Sequence, residues 1–171
     1  KAQAGDTNYE DYLRIIYSKT ASLFEAAAVT AAISVNASGM CVEAVRDYAV
    51  SLGYAFQIKD DILDYCGTDS VGKPLGVDVL EQKITLPLLG ALSNAPERES
   101  EIRSLVADVV AHPENRDDIV RFVAENHGVE YAEERLDSFV AKAVESISLL
   151  APSEERGMLA ELARYTACRN R

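Results

Sequence analysis

The chain has 171 residues, long enough for one domain with a sizeable apolar core. Its net charge of −11 argues against a polyanion such as nucleic acid as the main partner. Any anionic ligand must therefore be met by locally placed lysines or a metal ion. The three cysteines, Cys41, Cys66 and Cys168, have no metal-ligand spacing and read as reduced thiols of a cytoplasmic protein. The most apolar run, residues 26–35, is too short for the ~18–20 residues of a membrane-spanning helix.

The chain opens on Lys1-Ala2-Gln3-Ala4-Gly5-Asp6-Thr7, a polar lead-in with no initiator methionine and none of the features of a signal peptide. This start suggests a piece of something longer. Apolar periodicity then predicts a helix over residues 7–34, with Leu13, Ile16, Tyr17, Leu23, Phe24 and Ala27 on one face and Asp6, Thr7 or Asn8 as its cap. After a Ser38-Gly39 break, a second helix is expected over residues 41–65. Its buried face is read from Val42, Val45, Ala49, Leu52, Phe56 and Leu63. Residues 66–82 carry Gly67, Gly72, Pro74 and Gly76 and cannot be regular helix throughout.

A short buried helix is expected over residues 84–92, with Pro87 tolerated in its first turn. Further helices are expected over residues 97–111, 113–126, 129–150 and 152–168. Asn126-His127-Gly128 reads as a helix end with glycine in the left-handed position. No strand alternation competes, and the short connections imply antiparallel neighbours. The expected fold class is all-α, a helical bundle.

The chemistry concentrates in Phe56-Gln57-Ile58-Lys59-Asp60-Asp61-Ile62-Leu63-Asp64. At helical spacing Asp60 and Asp64 share one face, roughly 6 Å apart along the axis, with Asp61 beside them. Like charges so placed repel by a few tenths of a kcal/mol per pair, and acids late in a helix oppose its dipole. With a hard divalent cation they become a ligand set, and oxygen-only donors suit Mg²⁺, which keeps positions open for water and substrate phosphate. An acidic solvated face is the plainer alternative.

Three lysines complement the acids. Lys73 lies in the loop Gly72-Lys73-Pro74-Leu75-Gly76, and Lys83 stands at an expected helix start, where phosphate is favoured. Lys19-Thr20 sits within the first helix, where a snorkelling lysine is the competing explanation. Acids and lysines together suit the departure of a diphosphate leaving group. His112 and His127 stand at helix boundaries as structural or solvated residues. Asp117-Asp118 has no third acid in register and falls early in a helix, where acids stabilise.

These motifs resemble those of the trans-polyprenyl diphosphate synthases. Phe56-Gln57-x-x-Asp60-Asp61-x-x-Asp64, Gly72-Lys73-Pro74-x-Gly76-x-Asp78 and Lys83-x-Thr85-Leu86-Pro87-Leu88 look like the family's second aspartate-rich motif and its trailing loop. Lys19-Thr20-Ala21-x-Leu23-Phe24 is similar to the upstream Lys-Thr helix, and Ala163-Arg164-Tyr165 to Arg171 to the family's ending. The wording is closer to enzymes of long-chain, octaprenyl or nonaprenyl type than to farnesyl-type enzymes.

The resemblance implies an isoprenoid-synthase fold, of which residues 1–171 would be the C-terminal half. It also implies Mg²⁺-dependent condensation of isopentenyl diphosphate with an allylic diphosphate, by a cytoplasmic homodimer. Asp60, Asp61 and Asp64 would hold Mg²⁺, while Lys19, Lys73 and Lys83 would neutralise the allylic diphosphate. Thr20 and Gln57 would steady it, and Phe56 would pack near isopentenyl diphosphate.

There are departures. No other Asp-Asp-x-x-Asp occurs in these residues, so the family's first aspartate-rich motif and the N-terminal half that carries it are absent, and the chain alone is expected to be inactive. Gln82 stands where a glycine often precedes the lysine. Two other readings are a non-catalytic partner subunit of a heteromeric synthase and a terpene cyclase; the second would need an Asn/Asp-x-x-Ser/Thr-x-x-x-Glu pattern that the acidic helix lacks.

Overall fold

The computed structural model describes residues 6–66 and 75–169, whose regular elements are all helical, with no strand among them. The elements are α1 (Tyr9–Ile16), a π-helical turn (Tyr17–Ala21), α2 (Ser22–Ser34), α3 (Gly39–Cys66), α4 (Val77–Leu80), α5 (Leu86–Asn94), a 3₁₀ turn (Pro96–Arg98), α6 (Glu99–Asp108), α7 (Asn115–Glu125), α8 (Gly128–Ser148) and α9 (Glu154–Cys168). The all-α expectation is met. No described helix is long and apolar enough to cross a membrane.

The helix starts follow from local chemistry. Asn8 caps α1, its Oδ1 accepting the Asp11 N–H at 2.9 Å. Ser38 does the same for α3 toward Cys41 N at 3.3 Å, and Ser153 for α9 toward Arg156 N at 3.2 Å. Pro87 stands in the first turn of α5, where no intrahelical N–H is needed.

The chain forms two compact units. One comprises Lys1–Tyr12 and Asp60–Glu134, the other Leu13–Lys59 and Arg135–Arg171. The first is built around α5, in which Leu86, Pro87, Leu88, Gly90, Ala91 and Leu92 are all buried. Val79, Ile102, Val106, Ile119, Phe122 and Val123 complete this core, each fully buried large side chain contributing about 1.5–3 kcal/mol. Gly128 begins α8 where a Cβ would fall 2.2 Å from the Pro87 carbonyl oxygen, so only glycine fits. The left-handed position expected for Gly128 belongs instead to His127, at φ 53°. Gly128 is therefore set by close approach, and His127 by the turn.

In the second unit α3 packs Tyr48, Ala49 and Leu52 against Ala143, Ile147 and Ala163. The Tyr48 hydroxyl reaches the Leu159 carbonyl at 2.8 Å. Phe139 meets Tyr54 with ring centroids 4.9 Å apart.

Two expectations are corrected here. The helix over residues 7–34 is interrupted by the π-turn, and buried Ile16 and Ala21 are five residues apart, a step no α-helical face contains. That shift leaves Leu23, placed on the buried face, 72 % exposed. On α3 the deepest apolar positions are Ala55, Ile58 and Ile62, whereas Val42, Val45, Phe56 and Leu63 are only partly buried.

Candidate functional site

The acids lie in the last two turns of α3, as expected, but the structure treats them differently. Asp61 is the buried one, 3 % exposed, and its Oδ2 accepts the Tyr12 hydroxyl at 2.7 Å. Tyr12 is itself buried, and burial, then the Asp61 charge, raise its hydroxyl pKa well above that of free tyrosine. It is a donor at any physiological pH. Tyr65, one turn beyond Asp61, has its hydroxyl pKa raised by burial and, more weakly, by the charges of Asp64, Asp61 and Asp78.

Asp64 turns toward α4. Its two carboxylate oxygens accept the backbone N–H groups of Val77 and Asp78, both at 3.1 Å, and its carbonyl accepts Gly76 N at 2.9 Å. Burial raises the Asp64 pKa, with the two N–H donors pulling against that and the Asp78 charge reinforcing it. Asp60 is partly buried on the same helix.

Among the described residues no three His, Cys, Asp or Glu side chains converge as a finished ligand set. The donors nevertheless suit a hard divalent cation, being carboxylate oxygens. A carboxylate that accepts one or two hydrogen bonds keeps further lone pairs for a cation.

Lys83 is not at a helix start. It precedes α5 by three residues and closes the turn after α4, its N–H donating to the Asp78 carbonyl at 2.9 Å. Its ammonium pairs with Asp78 Oδ1 at 2.8 Å and with Glu81. Those carboxylates raise the Lys83 pKa and already compensate its charge. Gln82, beside it, has φ 58° and donates its Nε2 to the Ala107 carbonyl at 2.6 Å. Where a glycine was expected, Gln82 thus holds a left-handed backbone. Lys73, with Gly72 and Pro74, lies outside the described residues.

In the second unit, Lys19 and Thr20 fall inside the π-turn, a feature concentrated at functional sites. Lys19 is exposed, and Thr20 donates its hydroxyl to Gln57 Oε1 at 2.9 Å. Gln57 is buried, so this bond orients its amide. Phe56 is fixed by its neighbours. The Phe24 ring lies 5.8 Å away, the Arg169 guanidinium lies 4.0 Å from the Phe56 centroid, and Arg169 Nη2 donates to the Phe56 carbonyl at 2.9 Å.

The structure thus joins Thr20 to Gln57 and Arg169 to Phe56. It ties Asp61 to Tyr12, Asp64 to α4, and Lys83 to Asp78. Tyr12 and Arg169 carry no motif that pointed to these roles. Their partners are 49 and 113 residues away in sequence. Asp117 and Asp118 open α7 paired with Arg116 and Arg121, a helix-stabilising arrangement rather than a ligand set.

The family model described as polyprenyl synthetase matches residues 1–125. The octaprenyl diphosphate synthase of Haemophilus influenzae is 36 % identical over 166 residues, covering 96 % of this chain and 50 % of the relative. Among solved structures, a decaprenyl diphosphate synthase from Rhodobacter capsulatus superposes with a TM-score of 0.85 at 33 % identity, covering 99 % of this chain and 53 % of that one. A polyprenyl synthase from Caulobacter crescentus, solved with calcium and isoprenyl diphosphate, also has a TM-score of 0.85, at 30 % identity with 99 % and 52 % covered. The chain spans about half the length of the curated relatives it matches. With its aspartate-rich helix, its Lys-Thr turn and this all-helical frame, the chain belongs to the polyprenyl synthetase family, the trans-polyprenyl diphosphate synthases that its motifs resemble.

Proposed function

We propose that the protein is a prenyltransferase that joins isopentenyl diphosphate to an allylic prenyl diphosphate, with Mg²⁺, to give a longer trans-polyprenyl diphosphate of the long-chain class. The observation that carries the reading is Asp60-Asp61-x-x-Asp64 at the end of α3, with Asp61 held by Tyr12 and Asp64 by two backbone N–H groups. Carboxylates placed against the helix dipole and partly buried are unfavourable for stability alone, so a cation is the natural complement.

In this reading Asp60, Asp61 and Asp64 hold the metal, whose bound form neutralises diphosphate charge. Lys19 and Lys73 bring ammonium groups to the same diphosphate as the allylic C–O bond breaks and the electron pair leaves with it. Thr20 and Gln57 steady the diphosphate and the cationic carbon. Phe56, fixed by Arg169, packs beside isopentenyl diphosphate, whose double bond forms the new C–C bond and whose proton departs to the released diphosphate. Lys83, paired with Asp78, acts on the diphosphate only weakly. Homodimerisation and a cytoplasmic location are part of the proposal.

The test is a condensation assay on the protein as its gene encodes it, with labelled isopentenyl diphosphate and allylic diphosphates of increasing length, with and without Mg²⁺. Longer prenyl products that need Mg²⁺ support the reading. Asp60→Ala should lower turnover by orders of magnitude with an unchanged helical circular-dichroism signal, and wild-type turnover in that variant would refute the metal assignment.

A further inference from the structure

Tyr17 opens the π-turn, and Glu25 stands in the first turn of α2, eight residues later. The Tyr17 hydroxyl donates to Glu25 Oε2 at 2.6 Å, and Arg46 of α3 holds the other oxygen, Oε1, at 2.6 Å through Nη1. Two turns of α-helix take about seven residues, so residues eight apart stand about 80° from one another around the axis. The π-turn takes up one residue more: the Ser22 N–H donates to the Tyr17 carbonyl, five residues back. With that residue absorbed, Tyr17 and Glu25 come onto one face, two turns apart, and the hydroxyl meets the carboxylate. Their hydrogen bond therefore favours the π register over the α register.

The register decides what lies inside the turn. Thr20 donates its hydroxyl to the buried Gln57 at 2.9 Å, while Lys19 is exposed. Slippage by one residue would rotate both by about 100° and take Thr20 away from Gln57. Ion pairing alone does not explain the bracket, because Arg46 also pairs with Glu43 and an exposed pair contributes little. The tyrosine hydroxyl is the part that spans the turn. We infer that Tyr17 is a positioning residue: with Glu25 anchored by Arg46, its hydroxyl locks the π register and so sets Thr20 against Gln57 and Lys19 outward. The consequence for catalysis rests on the reading above, in which Lys19, Thr20 and Gln57 meet the allylic diphosphate. Tyr17 acts through these residues and touches no substrate itself.

The experiment uses the protein as its gene encodes it, with ¹⁵N in the glutamine side chains. Tyr17→Phe keeps the ring and removes only the hydroxyl. It should move the Gln57 side-chain amide resonances and leave in place those of Gln82, which is bonded to Ala107 in the other unit. KM for the allylic diphosphate should rise about tenfold, since misplacement by about 1 Å costs up to about 100-fold. KM for isopentenyl diphosphate should not change. Glu25→Ala should reproduce both effects and serves as the probe if Tyr17→Phe folds poorly. Glu25→Gln keeps an acceptor for the hydroxyl and should leave the Gln57 resonances and both KM values near the parent. Tyr48→Phe, which removes the bond to the Leu159 carbonyl in the same unit, should lower the melting temperature without either effect.

Parent-like Gln57 resonances and KM in Tyr17→Phe and Glu25→Ala, with Lys19→Gln impaired, would overturn the inference and leave the substrate reading standing. A fall in kcat alone, with the Gln57 resonances and both KM values unchanged, would also overturn it, because that is lost folded enzyme and not a lost register. Effects of equal size in Tyr48→Phe would overturn it as a general loss of packing. Moved Gln57 resonances with Lys19→Gln and Thr20→Val both parent-like in kinetics would uphold the register lock and remove the substrate reading of the turn.

Discussion

Gly53 of α3 lies so close to Ala21 of the π-turn that a Cβ on Gly53 would stand 2.5 Å from the Ala21 Cα. The missing side chain lets one backbone rest on the other, directly after Lys19 and Thr20. In an ordinary helix interior, Gly→Ala gains about 1 kcal/mol. Here the sign reverses, because overpacking against backbone costs about 1–3 kcal/mol. Gly53→Ala should lower stability in urea denaturation and impair activity through the displaced Lys-Thr turn. A variant more stable than the parent would show that the two segments have slack.

Lys19 and Lys83 should separate in kinetics. Lys83 is already matched by Asp78 and Glu81, whereas Lys19 is presented on the π-turn. Lys19→Gln should raise KM for the allylic diphosphate or lower kcat by about 10–100-fold, the size of one charged hydrogen bond. Lys83→Gln should change either by only a few-fold. Equal losses would mean that Lys83 leaves its carboxylates for the substrate.

Gln82 holds a left-handed backbone at φ 58° and a side-chain bond to the Ala107 carbonyl. Gln82→Gly removes backbone strain of about 1 kcal/mol and a hydrogen bond of similar worth, so stability should barely move. Gln82→Ala keeps the strain and loses the bond, and should cost about 1 kcal/mol. Chemical denaturation of both variants checks the pair. Parent-like stability in Gln82→Ala would mean that the Ala107 contact contributes nothing.

Glu25 is an assignable contributor to the acid limb of stability. The Tyr17 hydroxyl at 2.6 Å, and then Arg46, hold the Glu25 pKa below the ordinary glutamate value, against the opposing effect of burial. A depressed native pKa stabilises the fold fully above the unfolded value of about 4.3, and the contribution disappears as pH falls through the lower native value. Melting temperatures from pH 7 to pH 3 should show Glu25→Gln below the parent near neutrality, with the gap closing below about pH 4. A constant gap across that range would rule out this linkage.

What was legible in the sequence was what local spacing controls. The helices, a first cap among Asp6, Thr7 and Asn8, the break at Ser38-Gly39, Pro87 in a first turn, and the acids late in α3 all follow from periodicity and end chemistry. The π-turn was not legible, because its only mark is the five-residue step from Ile16 to Ala21, and apolar Leu23 and Phe24 next to it complete a plausible α-helical face. His127 in place of Gly128 was missed because glycine answers equally to a left-handed turn and to a close contact with Pro87. Tyr12 and Arg169 act across tertiary contacts that no local pattern encodes. Where sequence and structure part company, the cause lies in a partner distant along the chain or in an inserted residue.

Asp64 grips the chain a dozen residues ahead of itself through three backbone N–H groups, those of Gly76, Val77 and Asp78. In polymer terms this is a noncovalent ring closure. Closing such a ring holds its two ends in register, at an entropic cost that rises by only about 0.6 kcal/mol for each doubling of its length. Asp64 thereby fixes where α4 begins relative to the end of α3, both within one compact unit.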